Sequence, residues 1–360
     1  MSSPLYHRIV VKVGTNVLTT DKGLLDDGVM ASLVGQIAEI RKTGVDVIVV
    51  SSGAMSAGRA KVNPARKLGN VAARQVLAAV GQVELMHRYS TLFAKQELIC
   101  AQVLATKEDF RDRQHYLNMR DCFTALLLEG IVPVVNENDV VSVSELMFTD
   151  NDELAALIAS MVNADALILL TSVDGIQITD EKTGATSVLR TVHSESDWKN
   201  HLRAETSSFG RGGMQTKCRN AQKLSGLGIT THIAKGTEPN ILRKLLEGKE
   251  HGTVFPAKKS ASSVKRWVAE KEGSEKGVVT INAGAKDILA SQSKAVSLLP
   301  IGIITIDGEF SKGDVVRICD EGGKDVGLGI AQYAAAAARE AMGKKGQKAL
   351  VHYDYLYLFP

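Results

Sequence analysis

The sequence predicts an α/β chain, a three-layer sandwich with a mainly parallel central sheet, followed by a small β-rich domain. Three observations carry this reading. Short apolar runs rich in β-branched residues alternate with stretches of helical period over residues 5–256. Three glycine-bearing segments stand where strands should end. After Pro256 the pattern changes to short β-like segments punctuated by glycines.

Residues 8–13 read as a buried strand from their length and valine content. Asp26 or Asp27 can cap a helix with Val29, Leu33, Ile37 and Ile40 on one face, and Gly44 is its expected stop. Residues 45–50 form a second buried strand, and the helical crossover between the two strands makes them parallel. The alternation continues with helices over 71–95, 114–129, 152–162, 213–224 and 238–247, and strands at 99–104, 131–135, 166–170 and 229–234. Residues 257–276, charged and serine-rich, are expected as an exposed linker anchored in part by Trp267. Strands at 278–282, 301–306 and 314–319 and an alanine-rich helix at 332–342 define the rest. The expected organisation is therefore a first domain at 1–256, a linker at 257–276 and a second domain at 277–360.

The 360 residues are 44% hydrophobic and 23% charged, as in ordinary globular proteins. No apolar run approaches the ~18 residues needed to cross a bilayer. The first residues lack the basic-then-apolar pattern of a signal peptide, so a cytoplasmic protein with no membrane partner is expected. The four cysteines are scattered with no Cys-x-x-Cys pair, which argues against a zinc site, any other protein-borne metal site of this kind or a disulfide framework. Cys218 reads as a small helix-face residue. Residues 277–360 hold nine basic and nine acidic side chains, a balance that argues against RNA binding by this part.

The chemistry is concentrated at the strand ends. Lys12 closes a buried strand just before Gly14, a costly place for an ammonium without a partner. Ser52 and Gly53 follow the second strand in the same topological position, where small residues admit a ligand. Asn136-Glu137-Asn138-Asp139 ends another strand, and Asp150-Asn151-Asp152-Glu153 opens a helix, where carboxylates cap the helix or recognise an ammonium or a metal-bound phosphate. Thr171 and Ser172 follow a strand and suit a nucleotide edge or a tight turn. Sharpest of all is Gly210-Arg211-Gly212-Gly213-Met214-Gln215-Thr216-Lys217. Its three glycines free backbone donors to converge on an anion, and Lys217 falls in the first turn of the next helix. The spacing differs from a Walker A loop. Polyphosphate chemistry is the expectation.

Taken in order, Val11-Lys12-Val13-Gly14-Thr15, Ser52-Gly53-Ala54, Asn136-Glu137-Asn138-Asp139, Asp150-Asn151-Asp152 and Gly212-Gly213-Met214-x-Thr216-Lys217 resemble the glutamate 5-kinases of the amino acid kinase superfamily. The resemblance covers almost the whole chain, and its β-rich tail is similar to a PUA domain. It implies the amino acid kinase fold and transfer of the γ-phosphoryl of ATP, with Mg²⁺, to the side-chain carboxylate of L-glutamate. It also implies that Ser52, Gly53, Asp139 and Asn151 hold glutamate, and that Lys12, Gly14, Thr171, Ser172 and residues 211–217 hold ATP. Asp152 would orient the two lysines, and Lys12 and Lys217 would neutralise charge on the moving phosphoryl group. Feedback inhibition by proline and a homo-oligomeric state are further implications. Arg211 departs from the pattern, standing where many relatives carry threonine.

Overall fold

The computed structural model describes residues 5–62, 69–142, 148, 150–179, 184–199, 213–258, 263–269, 271–290 and 296–359. Two compact units divide the chain, Met1–Ser260 and Ala261–Pro360.

The first unit is built on β1 (Arg8–Val13), β2 (Asp46–Ser51), β3 (Cys100–Ala105), β4 (Val132–Glu137), β5 (Ala166–Thr171), β6 (Gln177–Thr179), β7 (Thr186–Val188), β8 (Thr230–Lys235) and β9 (Thr253–Phe255). Seven of these form one sheet in the order β3-β4-β2-β1-β5-β8-β9, while β6 and β7 pair as a separate antiparallel hairpin. Every neighbouring pair in the large sheet is parallel except β8 with β9. All the carboxyl ends of the parallel strands thus lie along one edge, the edge that carries ligands in open α/β sheets.

Strand periodicity decides which way Lys12 faces. Ile9, Val11 and Val13 join an apolar cluster with Met30, Leu33 and Ile37 of the helix Asp27–Lys42 and Leu85, Tyr89 and Phe93 of the helix Asn70–Ala94. Successive residues of a strand face opposite sides, so Val10 and Lys12 face the other layer. The helix Asn151–Met161 packs on β1, and the helix Met214–Gly226 packs beside it. Helices therefore cover both faces, which explains why the central strands are apolar except toward their ends.

Local chemistry sets the helix ends. Asp26 caps the helix Asp27–Lys42 by accepting the N–H groups of Gly28 and Val29 at 2.9 and 3.0 Å, and Gly44 follows it at φ 84°. The helix Ala54–Lys61 starts from Gly53, whose φ of 102° a residue with a side chain would rarely adopt. That helix crosses Asn70–Ala94 at such short range that a Cβ on Gly58 would overlap the Leu77 carbonyl, and one on Gly81 the Ala54 carbonyl.

The second unit holds β10 (Gly277–Ile281), β11 (Ile303–Gly308), β12 (Val315–Asp320), β13 (Asp325–Ala331) and β14 (Val351–Leu358), in the order β11-β10-β12-β13-β14. It has its own apolar core, including Val279, Ile281, Val316, Ile318 and Leu350. Of these strands, β13 and β14 are not among those expected from the sequence. Gly327 and Gly329 interrupt the β-branched pattern of β13, yet a Cβ on Gly329 would overlap Val351, so close packing requires the glycine.

The segment 257–276, expected as an exposed linker, contains the helix Ser263–Ala269, with Val268 and Ala269 fully buried. Lys271 is also buried, its ammonium 4.7 Å from the centroid of the Trp267 ring. Much of this stretch belongs to the folded second unit. Its charged composition hides two apolar anchor points.

The two glycine crossings generate a test. Gly81→Ala forces the paired helices apart and is expected to destabilise the first unit by about 2 kcal/mol or more, as overpacking against backbone does. Chemical denaturation followed by far-ultraviolet circular dichroism measures it, and an unshifted midpoint would contradict the packing described.

Candidate active site

Lys12, one residue from the end of β1, is only 6% exposed, and Lys217, in the first turn of Met214–Gly226, is 9% exposed. An ammonium buried to that degree requires a counter-charge. Both find the same one. Lys12 Nζ lies 2.6 Å from Asp152 Oδ1, and Lys217 Nζ lies 2.7 Å from Asp152 Oδ2. Asp152 is completely buried and occupies the first turn of the helix Asn151–Met161. One carboxylate thus bridges two ammonium groups more than two hundred positions apart in the chain.

Burial alone would raise the Asp152 pKa, but the charges of Lys12 and Lys217 outweigh it and hold the carboxyl below its ordinary range. Asp152 therefore stays ionised at neutral pH. Asp150, two residues earlier, behaves oppositely: burial first, then the Asp152 charge, pushes its pKa up. Asp150 Oδ1 caps the helix by accepting the N–H groups of Asp152 and Glu153 at 3.0 Å each. Its buried Oδ2 has no hydrogen-bond partner among the described residues.

The second half of the site is assembled at the ends of β2 and β4. Asn151 Nδ2 lies 3.0 Å from each of Ser52 Oγ, the Ser51 carbonyl oxygen and Asn136 Oδ1, three acceptors for its two hydrogens. Asn136 Nδ2 in turn donates to Gln82 Oε1 at 2.9 Å. Ser51 Oγ is 2.9 Å from the hydroxyl of buried Tyr89. Ser52, Gly53 and Asn151 are therefore brought together, next to Asp152 on the same helix turn. Asp139 lies on the β4 side, where it forms an ion pair with Arg74, and the same guanidinium is 3.7 Å from Glu137 Oε2.

Sequence reasoning misses Arg74, Gln82 and Tyr89. All three sit inside the long helix Asn70–Ala94, where neither a glycine nor a strand end marks them.

On the opposite side, the Gly14 N–H donates to the Leu170 carbonyl at 3.3 Å, tying the β1 loop to the end of β5. A Cβ on Gly14 would lie 3.5 Å from Lys12 Nζ, so this loop runs directly beside the ammonium. Thr171 ends β5 and its carbonyl accepts the Gly236 N–H at 2.8 Å; Ser172 follows, exposed. Gly213 precedes Met214, Gln215, Thr216 and Lys217, which form the first turn of their helix. Arg211 and Gly212 lie outside the described residues. Cys218 is fully buried and burial pushes its thiol up to about 12, as befits a packing residue.

The arrangement offers two cations and a helix N-terminus at one end, and hydroxyl, amide and carboxylate groups at the other. It suits a polyanion meeting a small polar molecule. Comparison with known proteins agrees. Residues 7–235 match the Amino acid kinase family, and residues 277–353 match the PUA domain. A Glutamate 5-kinase of Chlorobaculum tepidum is 53% identical over 99% of this chain and 99% of its own length. Another, of Bacteroides thetaiotaomicron, is 50% identical over 98% of this chain and 99% of its own. In fold, the chain is similar to the carbamate kinase from Giardia lamblia bound to AMP-PNP, with a TM-score of 0.51 and 20% identity over 71% of this chain and 99% of that one. The chain belongs to the amino acid kinase family, within the group of the glutamate 5-kinases, and carries a PUA domain after the kinase fold.

Proposed function

We propose that the protein transfers the γ-phosphoryl group of ATP to the side-chain carboxylate of L-glutamate, giving L-glutamyl 5-phosphate, the first intermediate toward proline. The observation that carries this reading is the convergence of Lys12 and Lys217 on Asp152, one residue from the Asn151–Ser52 pair.

A carboxylate is already a competent nucleophile, so no general base is required. His232 is buried, which lowers its pKa to about 4, and it is bonded to the Tyr6 hydroxyl at 2.9 Å. The difficulty is repulsion between two anions. Catalysis then rests on positioning and on cations around the transferring group. Lys12 and Lys217 supply those cations, and Asp152 fixes where they point. Gly14, Thr171, Ser172 and the segment 211–217 bind the nucleotide, while Ser52, Gly53, Asp139 and Asn151 bind glutamate.

Among the described residues no group of three or more His, Cys, Asp or Glu suits a resident metal ion. Mg²⁺ bound with the nucleotide would supply shielding of phosphate charge. Asp150 Oδ2, buried and without a hydrogen-bond partner among the described residues, is the oxygen that fits a role as its ligand from the protein.

The PUA domain, with its balanced charge, is assigned to regulation or assembly rather than to RNA binding. Self-association is proposed through the helix Asn70–Ala94, whose Val76, Val80 and Val83 form an exposed stripe at helical spacing. Proline is proposed to compete for the glutamate site.

Two experiments follow. ADP formation measured with glutamate, acetylglutamate and aspartate is expected to be fastest with glutamate and to slow with millimolar proline at subsaturating glutamate. Turnover with only acetylglutamate or aspartate would refute the substrate assignment. Lys217→Met is expected to lower kcat by about 10²- to 10³-fold with a smaller effect on the KM for glutamate, by analogy with loss of one oxyanion-stabilising donor. An unchanged kcat would remove Lys217 from the mechanism.

A further inference from the structure

A free α-amino acid brings three charged groups into the site: the reacting carboxylate, the α-ammonium and the α-carboxylate. The residues assigned above answer the first two, with the lysines beside the reacting end and Asp139 for the ammonium. None of them is a cation placed for the α-carboxylate. Lys12 and Lys217 converge on Asp152, at the end of the site assigned to the phosphoryl group.

Arg74 supplies one. It lies in the second turn of the helix Asn70–Ala94, forms an ion pair with Asp139 and lies 3.7 Å from Glu137 Oε2. Gln75 beside it donates to the Val140 carbonyl at 2.6 Å, fastening the helix to the loop after β4. All three charged side chains of the cluster are largely buried: Arg74 is 16%, Glu137 8% and Asp139 13% exposed. In an α-amino acid the ammonium and the carboxylate are attached to the same carbon, so their charged atoms lie within roughly 3 Å of each other. A cation in direct contact with the carboxylate that receives the ammonium is therefore at the right range for the α-carboxylate. The guanidinium has five N–H donors in a planar fork, so one such side chain can donate to more than one carboxylate.

We propose that Arg74 binds the α-carboxylate of the amino-acid substrate and so sets the preference of the site for a free α-amino acid. This rests on the glutamate reading and names the specificity residue within it. Asp139 and Arg74 then form an alternating pair that matches the zwitterion, with Glu137 Oε2 3.7 Å from the same guanidinium.

The test uses 4-aminobutyrate, which is glutamate without its α-carboxylate, as a competitive inhibitor or slow alternative substrate. In the full-length wild-type chain it is expected to bind about 10- to 100-fold more weakly than glutamate, the range for a lost charge-assisted hydrogen-bonded contact. Arg74→Gln is expected to raise the KM for glutamate by a similar factor, to leave the inhibition constant of 4-aminobutyrate within about threefold, and to leave the KM for ATP unchanged. Arg74→Lys, which keeps the charge and loses the fork, should fall between the two. It serves as the decisive variant if Arg74→Gln does not fold by circular dichroism. Equal weakening of glutamate and 4-aminobutyrate would overturn the proposal, since a residue that merely shapes Asp139 affects both ligands alike. So would an unchanged KM for glutamate. Failure of the wild-type chain to phosphorylate glutamate at all would instead overturn the functional reading on which the inference stands.

Discussion

A single buried carboxylate holding two ammonium groups is the constraint around which the kinase unit is arranged. Without Asp152, Lys12 and Lys217 would be like charges in a largely dehydrated pocket, and each would be driven toward solvent or toward its neutral form. With Asp152 between them, the cluster keeps a net positive charge in a fixed geometry at 2.6 and 2.7 Å. An anionic phosphate tail meets cations that are already oriented, so little reorganisation is needed when charge moves.

The fold supplies the three members from separate places. Lys12 reaches the site because the two-residue period of β1 turns it away from the large apolar cluster and toward the helix Asn151–Met161. Asp152 is delivered by the first turn of that helix, where Asp150 caps the N–H groups and Asn151 binds the Ser52 loop. Lys217 comes from the start of Met214–Gly226, packed alongside. Register, capping and helix packing are thus the means by which a two-anion problem is solved, and the glycine-mediated crossing of Ala54–Lys61 with Asn70–Ala94 braces the other wall.

Much of this is legible in the amino-acid sequence itself. The valine-rich runs mark the central strands because burial on both faces leaves no room for polar alternation, and Asp26 and Gly44 bound their helix through capping chemistry. A lysine at the end of a buried strand demands a partner, and five motifs in order point to the family. What escapes is written in tertiary contact alone. Arg74 and Gln82 look like ordinary helix residues until the ends of β4 are seen against them. The helix Ser263–Ala269 is masked by its charged neighbours, and β13 by the glycines its close packing demands. Arg211 and Gly212, expected in the nucleotide loop, lie outside the described residues.

The most direct measurement is a crystal structure of the protein with a non-hydrolysable ATP analogue, Mg²⁺ and glutamate. The account predicts both Nζ atoms within hydrogen-bonding range, about 3.2 Å or less, of oxygens on the β- or γ-phosphate, with Asp152 still between them. Either ammonium turned away from the triphosphate, or Asp152 detached from both lysines, would contradict it.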